Sequence, residues 1–330
     1  YAENPPKKYE DISHIEFYGG ALPSVWYELR DVLLFWIDQG VKTFRVDNPH
    51  TKPYPFWEWC IREIQDRHPD TIFLSEAFTR PKVMKRLAKL GFTQSYSYFT
   101  WRNTKPELTE YLTELTRDEP AEHMRPNFFV NTPDINPIWL QTAGRPGFRI
   151  RAVLAATLSP LWGVYSGFEL CEATPIPGKE EYLDSEKYEI KAWDWDRPGN
   201  IREDITRLNR IRRENPAMWD FTNLEIHPAW NDAVLVYSKM TDLRDSRGRL
   251  VRTPDNAILV AVNLDPHQAH GCHFELPLWR FGLPDHATIA VEVLLTNHRF
   301  AWTGKTQHVW LDPHQNPYAI WRLVPPGMPS

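Results

Sequence analysis

Two periods of hydrophobicity alternate along the first two thirds of the chain. Short apolar runs of period two read as buried strands, and longer stretches with apolar positions three and four apart read as helices. Strands are predicted over 41–47, 71–76, 92–100, 127–130 and 161–165. Helices are predicted over 24–39, 55–67, 81–90, 105–116, 149–158 and 201–214. The first helix carries Trp26, Leu29, Leu33, Trp36 and Ile37 on one stripe, and Gly40 closes it at the usual cap position. The second turns Phe56, Trp59, Cys60 and Ile64 inward. Strand and helix in strict alternation argue for a parallel sheet covered by helices. Residues 168–196 are too long for a plain connection and form a candidate functional loop. Residues 1–10 are polar and proline-bearing and read as a loop or linker.

After Pro216 the period changes. Short alternating runs over 233–238, 257–263, 272–276, 289–295, 308–311 and 318–323 are separated by turns rich in Pro, Asp and Gly. This is an antiparallel β domain, read as a sandwich, with 242–252 as a charged hairpin tip. The expected division is therefore 1–216 and 217–330.

Composition narrows the class. Hydrophobic residues make up 42% and aromatics 13%, enough for a large core. Fifteen Trp in 330 residues either fill that core or form faces on which sugar rings stack. The net charge of −5, with both signs interspersed, points to no nucleic-acid or membrane surface. Cys60, Cys171 and Cys272 lie far apart, so neither a disulfide framework nor a metal spacing is present; no cofactor or metal is expected, and a cytoplasmic setting is. No apolar stretch has membrane length and no signal peptide opens the chain. The first residue is Tyr1 rather than Met, so residues upstream are expected.

The candidate chemistry sits where strands stop. Asp47 ends the first strand, Glu76 the second, and Asp134 follows the run Asn127-Phe128-Phe129-Val130. A single strand-end Asp is most simply a turn or helix cap. Three at strand ends of one parallel sheet meet at one rim, where such folds keep their active sites. Arg45, two residues before Asp47, points to the same face and can hold that carboxylate ionised. Retaining glycoside chemistry needs a nucleophilic carboxylate and a proton-transferring one about 5–5.5 Å apart. Cys60 reads as core. Tyr96, Tyr98, Phe99 and Trp101 read as a sugar platform or as packing, with packing favoured. His50 reads equally as a sugar contact or a strand-end hydrogen bonder. Trp193 and Trp195 either line a cleft or anchor their loop.

Phe44-Arg45-Val46-Asp47, Glu76 after its strand and Asp134 after Asn127-Phe128-Phe129-Val130 resemble conserved regions of the α-amylase superfamily of glycoside hydrolases. The resemblance implies a (β/α)8 TIM barrel, of which this chain supplies about the last five strands, followed by the β-sandwich. It also implies that Asp47 is the nucleophile, Glu76 the acid/base and Asp134 the transition-state stabiliser. The chain departs from the hydrolases of that superfamily twice. Asn48-Pro49-His50-Thr51-Lys52 follows the nucleophile where hydrolases carry Lys-His, and Pro133 precedes the third carboxylate where they carry His. These departures, with Asn4-Pro5-Pro6-Lys7-Lys8-Tyr9, Ser75-Glu76-Ala77-Phe78-Thr79-Arg80-Pro81 and Ser185-Glu186-Lys187-Tyr188, resemble a maltosyl-transferring branch. That resemblance implies retaining transfer from α-maltose 1-phosphate to the non-reducing end of an α-1,4-glucan, in a full-length homodimer of which this chain is the C-terminal half. Asn4, Lys7, Tyr9, Lys187 and Tyr188 would then hold the donor phosphate, with Arg45 and Asn48 contacting substrate. The rivals are an α-glucan hydrolase or trehalose-forming isomerase of the same superfamily, and a non-catalytic glucan-binding scaffold.

Overall fold

A computed structural model describes residue 13 and residues 15–186, 189–244 and 250–325. In chain order its β/α part runs α1 (Ser24–Asp38), β1 (Thr43–Asp47), α2 (Tyr54–Gln65), β2 (Ile72–Glu76), α3 (Pro81–Ala88), β3 (Gln94–Tyr96), α4 (Lys105–Arg117), the single turn α5 (Pro120–His123), β4 (Pro126–Phe129), α6 (Ile138–Leu158), β5 (Leu161–Gly163) and α7 (Arg202–Glu214). The chain divides into two compact units. One holds the residues up to Tyr98 with Arg117–Asn127, the other Phe99–Thr116 and everything from Phe128 onward.

In the first unit β1, β2, β3 and the start of β4 are consecutive parallel neighbours. Their register pairs Phe44 with Phe73 and Asp47 with Glu76. Phe44 and Phe73 stack at 5.6 Å on one face, and the alternation of a strand puts Arg45 and Asp47 on the other. Phe56, Trp57, Cys60, Ile61 and Ile64 of α2 bury a helical stripe, and burial pushes the Cys60 thiol up to about 12. Gly40 takes φ 95° and ends α1 as expected. Trp26, Leu29, Leu33 and Ile37 of α1 pack half-buried against the same core. Trp36, expected inward, is 50% exposed: it lies beside that line and meets Phe35 edge-on. The strand expected through 100 stops at Tyr96, and Tyr98–Trp101 turns as a 3-10 helix.

In the second unit Val130, just past β4, donates its N–H to the Gly163 carbonyl of β5 at 3.1 Å. A side chain at Gly163 would run into the Phe129 ring, so only glycine fits there. Helix α6, expected from 149, begins at Ile138 and bends at Gly144, whose φ of 60° lets the chain resume helix through Pro146. Its Arg151 is fully buried. The guanidinium donates to the Arg102 and Phe99 carbonyls at 2.6 and 2.5 Å and lies 3.9 Å over the Phe99 ring. Phe128 stacks on Phe99 at 4.4 Å, so Phe99 is packing and not a sugar platform. Burial lowers the Arg151 pKa to about 9.

The β domain, in the second unit, adds β6 (Leu224–Ile226), β7 (Val234–Met240), the hairpin β8–β9 (Leu243–Arg244, Leu250–Arg252), β10 (Ala257–Asn263), β11 (His270–Glu275), β12 (Thr288–Val293), β13 (His298–Thr303), β14 (Thr306–Leu311) and β15 (Tyr318–Val324). Six strands form one antiparallel sheet in the order β13-β12-β15-β10-β7-β6. Strands β11 and β14 form a second, and the core of Val236, Leu259, Phe274, Leu311 and Trp321 fills the space between. Strands β6 and β13 went unseen in the sequence: the first has three residues, the second carries His298, Arg299 and Thr303 outward.

Candidate active site

Register decides the centre of the site. Parallel pairing of Asp47 with Glu76 sets the two carboxylates side by side at the C-terminal ends of adjacent strands. Arg45, two positions earlier on β1, reaches both: one guanidinium nitrogen is 3.3 Å from Asp47 Oδ2 and the other 3.4 Å from Glu76 Oε1. The carboxylates differ in access. The Asp47 side chain is 67% exposed and that of Glu76 9%. Burial works against the Arg45 charge, but Glu76 and then Asp47 outweigh it and raise its pKa above the ordinary value.

Past Asp47 the chain turns sharply, with Asn48 in the left-handed region at φ 44°. That conformation aims the Asn48 N–H back at β2, where it donates to the Glu76 carbonyl at 3.0 Å and approaches Glu76 Oε2 at 3.4 Å. Pro49–Thr51 continues as one 3-10 turn. Trp57 Nε1 donates to the Pro49 carbonyl at 2.9 Å and pins the turn to α2. Half-buried His50 lies within it. Next comes Lys52, whose pKa is lowered by burial and held up in part by Asp47.

Tyr96, read from the sequence as packing or a sugar platform, is a buried member of this cluster. It follows Ser95, the register partner of Ser75, so it occupies the place beside Glu76 on β3. Its hydroxyl is hydrogen-bonded to Arg45, and Phe78 meets its ring edge-on at 5.9 Å. Only the three-strand register reveals this role.

Asp134 stands in the second unit, exposed at the tip of a turn closed by the Thr132–Ile135 bridge, and its N–H donates to Thr132 Oγ1 at 3.2 Å. The long loop after β5 braces that turn. Asn131, fully buried, donates to the Tyr182 hydroxyl at 2.6 Å and accepts from the Tyr165 N–H at 2.8 Å. The Asn136 N–H donates to the Glu180 carbonyl, and the Glu180 carboxylate takes the Ile138 N–H and Trp101 Nε1. Trp193 anchors the loop: it covers Gly167 and donates to Glu186 Oε1 at 2.9 Å. Trp195 remains 40% exposed. Of the predicted site residues, Arg45, Asp47, Asn48 and Glu76 are brought together. Asn4, Lys7, Tyr9, Lys187 and Tyr188 lie outside the described residues. Among the described residues no helix is long and apolar enough to cross a membrane.

A parallel β/α part followed by an antiparallel β domain is a fold shared with solved α-amylases. An α-amylase from Geobacillus thermoleovorans superposes with a TM-score of 0.69 at 15% identity, over 92% of this chain and 64% of its own. One from Anoxybacillus gives 0.68 at 14%, over 93% and 64%. The sequence then narrows the class. Residues 226–323 match the family model described as GLGE, C-terminal. The α-1,4-glucan:maltose-1-phosphate maltosyltransferase of Cereibacter sphaeroides is 62% identical over 329 residues, all of this chain and 48% of that protein. That of Pseudomonas aeruginosa is 59% identical over 325 residues, 98% of this chain and 47% of its own. The chain spans about half the length of the curated relatives it matches, and it matches the C-terminal half of that maltosyltransferase family.

Proposed function

We propose that this chain carries the reacting carboxylates of a retaining maltosyltransferase, one that moves maltosyl from α-maltose 1-phosphate to the non-reducing end of an α-1,4-glucan. The observation that carries the reading is the Asp47–Arg45–Glu76 cluster, with one carboxylate open and the other buried. In the first step an Asp47 oxygen bonds to C1 of the donor, Glu76 gives its proton to the departing phosphate oxygen, and the C1–O bond breaks with its electron pair leaving on that oxygen. In the second the 4-hydroxyl of the glucan bonds to C1, the ester to Asp47 breaks, and the hydroxyl proton passes to Glu76. Arg45 keeps Asp47 aimed, and Tyr96 keeps Arg45 in place. The resemblance gives Asp134 the role of favouring the distorted sugar ring.

The departing phosphate carries up to two negative charges and is eased out by fixed cations and hydroxyl donors. That role falls to Lys7, Tyr9, Lys187 and Tyr188 with Asn4. The reading divides the chain into barrel residues 1–216 and sandwich residues 217–330. A homodimeric full-length form belongs to it on resemblance alone. The test gives the full-length protein maltose 1-phosphate and glycogen and follows inorganic phosphate together with chain length. Phosphate release with chain extension is expected. Phosphate release with free maltose, or glucan shortening without donor use, would move the reading to a hydrolase. A 2-deoxy-2-fluoro maltosyl donor is expected to leave its adduct on Asp47, located by mass spectrometry.

A further inference from the structure

The sandwich carries an aromatic surface that the proposed reaction does not use. Strands β11 and β14 pair Cys272 with Val309 toward the core, so Gly271, His273, His308 and Trp310 share the outer face. The segment before β7 adds a third strand to this sheet. Ala229 bridges Phe274, the Trp230 N–H donates to the His273 carbonyl at 2.9 Å, and the Glu275 N–H donates to the Pro228 carbonyl at 3.0 Å. Ala229 packs on the core, so Trp230 points out with the others. Lys105 Nζ fixes the added strand through the Ala229 and Asn231 carbonyls.

Trp230, His273 and His308 therefore form a row across three strands, with the two imidazoles 4.7 Å apart. Trp310 lies in the next row, across Gly271. A Cβ at Gly271 would come within 3.2 Å of the Trp310 ring and 3.0 Å of His308 Nε2, so the indole and the imidazole crowd the space that the glycine leaves. Trp310 is 60% exposed and Trp230 59%. Strand spacing and rise separate their Cα atoms by on the order of 12 Å, a span for an oligosaccharide rather than one sugar. Indole faces cover the C–H faces of pyranose rings, and imidazoles between them exchange hydrogen bonds with hydroxyls.

From this face we infer a second carbohydrate-binding site, outside the reacting carboxylates, that holds a stretch of the α-1,4-glucan acceptor. The identity of the sugar rests on the proposed function; the site rests on the face itself. Such a site raises the local concentration of long chains by linking two weak contacts.

The test uses the full-length protein with Trp230→Ala, Trp310→Ala and Gly271→Val, read by affinity electrophoresis in glycogen gels and by turnover on maltohexaose. The Trp variants are expected to weaken glycogen retention roughly tenfold each, with maltohexaose turnover and thermal unfolding unchanged. Gly271→Val, which crowds the Trp310 ring and displaces it, is expected to weaken retention likewise. Unchanged retention in both Trp variants would overturn the inference. So would an equal loss on maltohexaose, which would assign the residues to the reaction site or to folding. Trp-dependent retention in a protein that releases no phosphate from maltose 1-phosphate would leave this site standing and refute the proposed function.

Discussion

Strands β1 and β10 have opposite surroundings. Strand β1 alternates exposed and half-buried along its five residues, and β2 is its partner. All seven residues of β10 are buried, between β7 on one side and β15 on the other. Its Ala257, Leu259 and Ala261 enter the sandwich core, while α6 packs over the opposite face. The apolar strand holds the fold, and the exposed one presents charges. In the proposed reaction the carboxylate that bonds to the sugar is the exposed Asp47 on β1, while its partner Glu76 on β2 is buried.

The contrast breaks first at Asp47. Asp47→Ala is expected to lower turnover by on the order of a thousandfold or more, while the unfolding midpoint stays put because the side chain is exposed. A large loss of stability would show that Asp47 supports the fold instead. The converse change is Leu259→Ala in β10, fully buried. It should cost about 2–5 kcal/mol in chemical denaturation, with kcat per folded molecule unaltered. A kcat that fell with stability would mean that the two regions are not separable.

Lys239 sharpens the comparison from inside the stable region. It sits on fully buried β7, where its ammonium donates to the Met218 carbonyl at 3.5 Å, and burial lowers its pKa from 10.5 to about 7. Asp220 offsets part of that shift. Between those values the unfolded chain holds the proton and the folded one does not, so stability climbs with pH from about 7 to 10.5. Below about 7 both states are protonated and the penalty is fully present. Lys239→Met should stabilise the fold by roughly 1–4 kcal/mol at neutral pH and flatten that climb. Urea unfolding at pH 7 and pH 9.5 reads both, and a destabilised variant would mean that the ammonium is well satisfied.

The smallest expected effect is at Tyr96→Phe. Losing the hydroxyl that holds Arg45 should cost roughly 0.5–1.5 kcal/mol, up to about tenfold in kcat/KM, with glycogen retention and stability little changed. An unchanged kcat/KM would remove Tyr96 from the cluster.

Much was legible in the residue order. Apolar runs that stop at Asp47, Glu76 and Asn131, helices punctuated by Gly40 and Pro216, and the change of period after 216 are local signals, because a side chain's period and a residue's backbone preference act over a few neighbours. Those signals placed β1, β2, β4, α2 and β10 within a few residues of where they are. They failed where tertiary packing overrode a breaker, as in α6 across Gly144 and Pro146, and where too few apolar positions marked a strand, as in β13. What the tertiary structure alone decided is partnership. Arg45 was visible beside Asp47, yet its second contact, to Glu76, comes from the register of β1 on β2. Tyr96 joins because β3 continues that register, and Trp230 meets His273 because a segment more than forty residues upstream adds to the same sheet edge. These pairings are long-range hydrogen-bond registers. No stretch of sequence contains both partners, so only the folded chain brings them to one place.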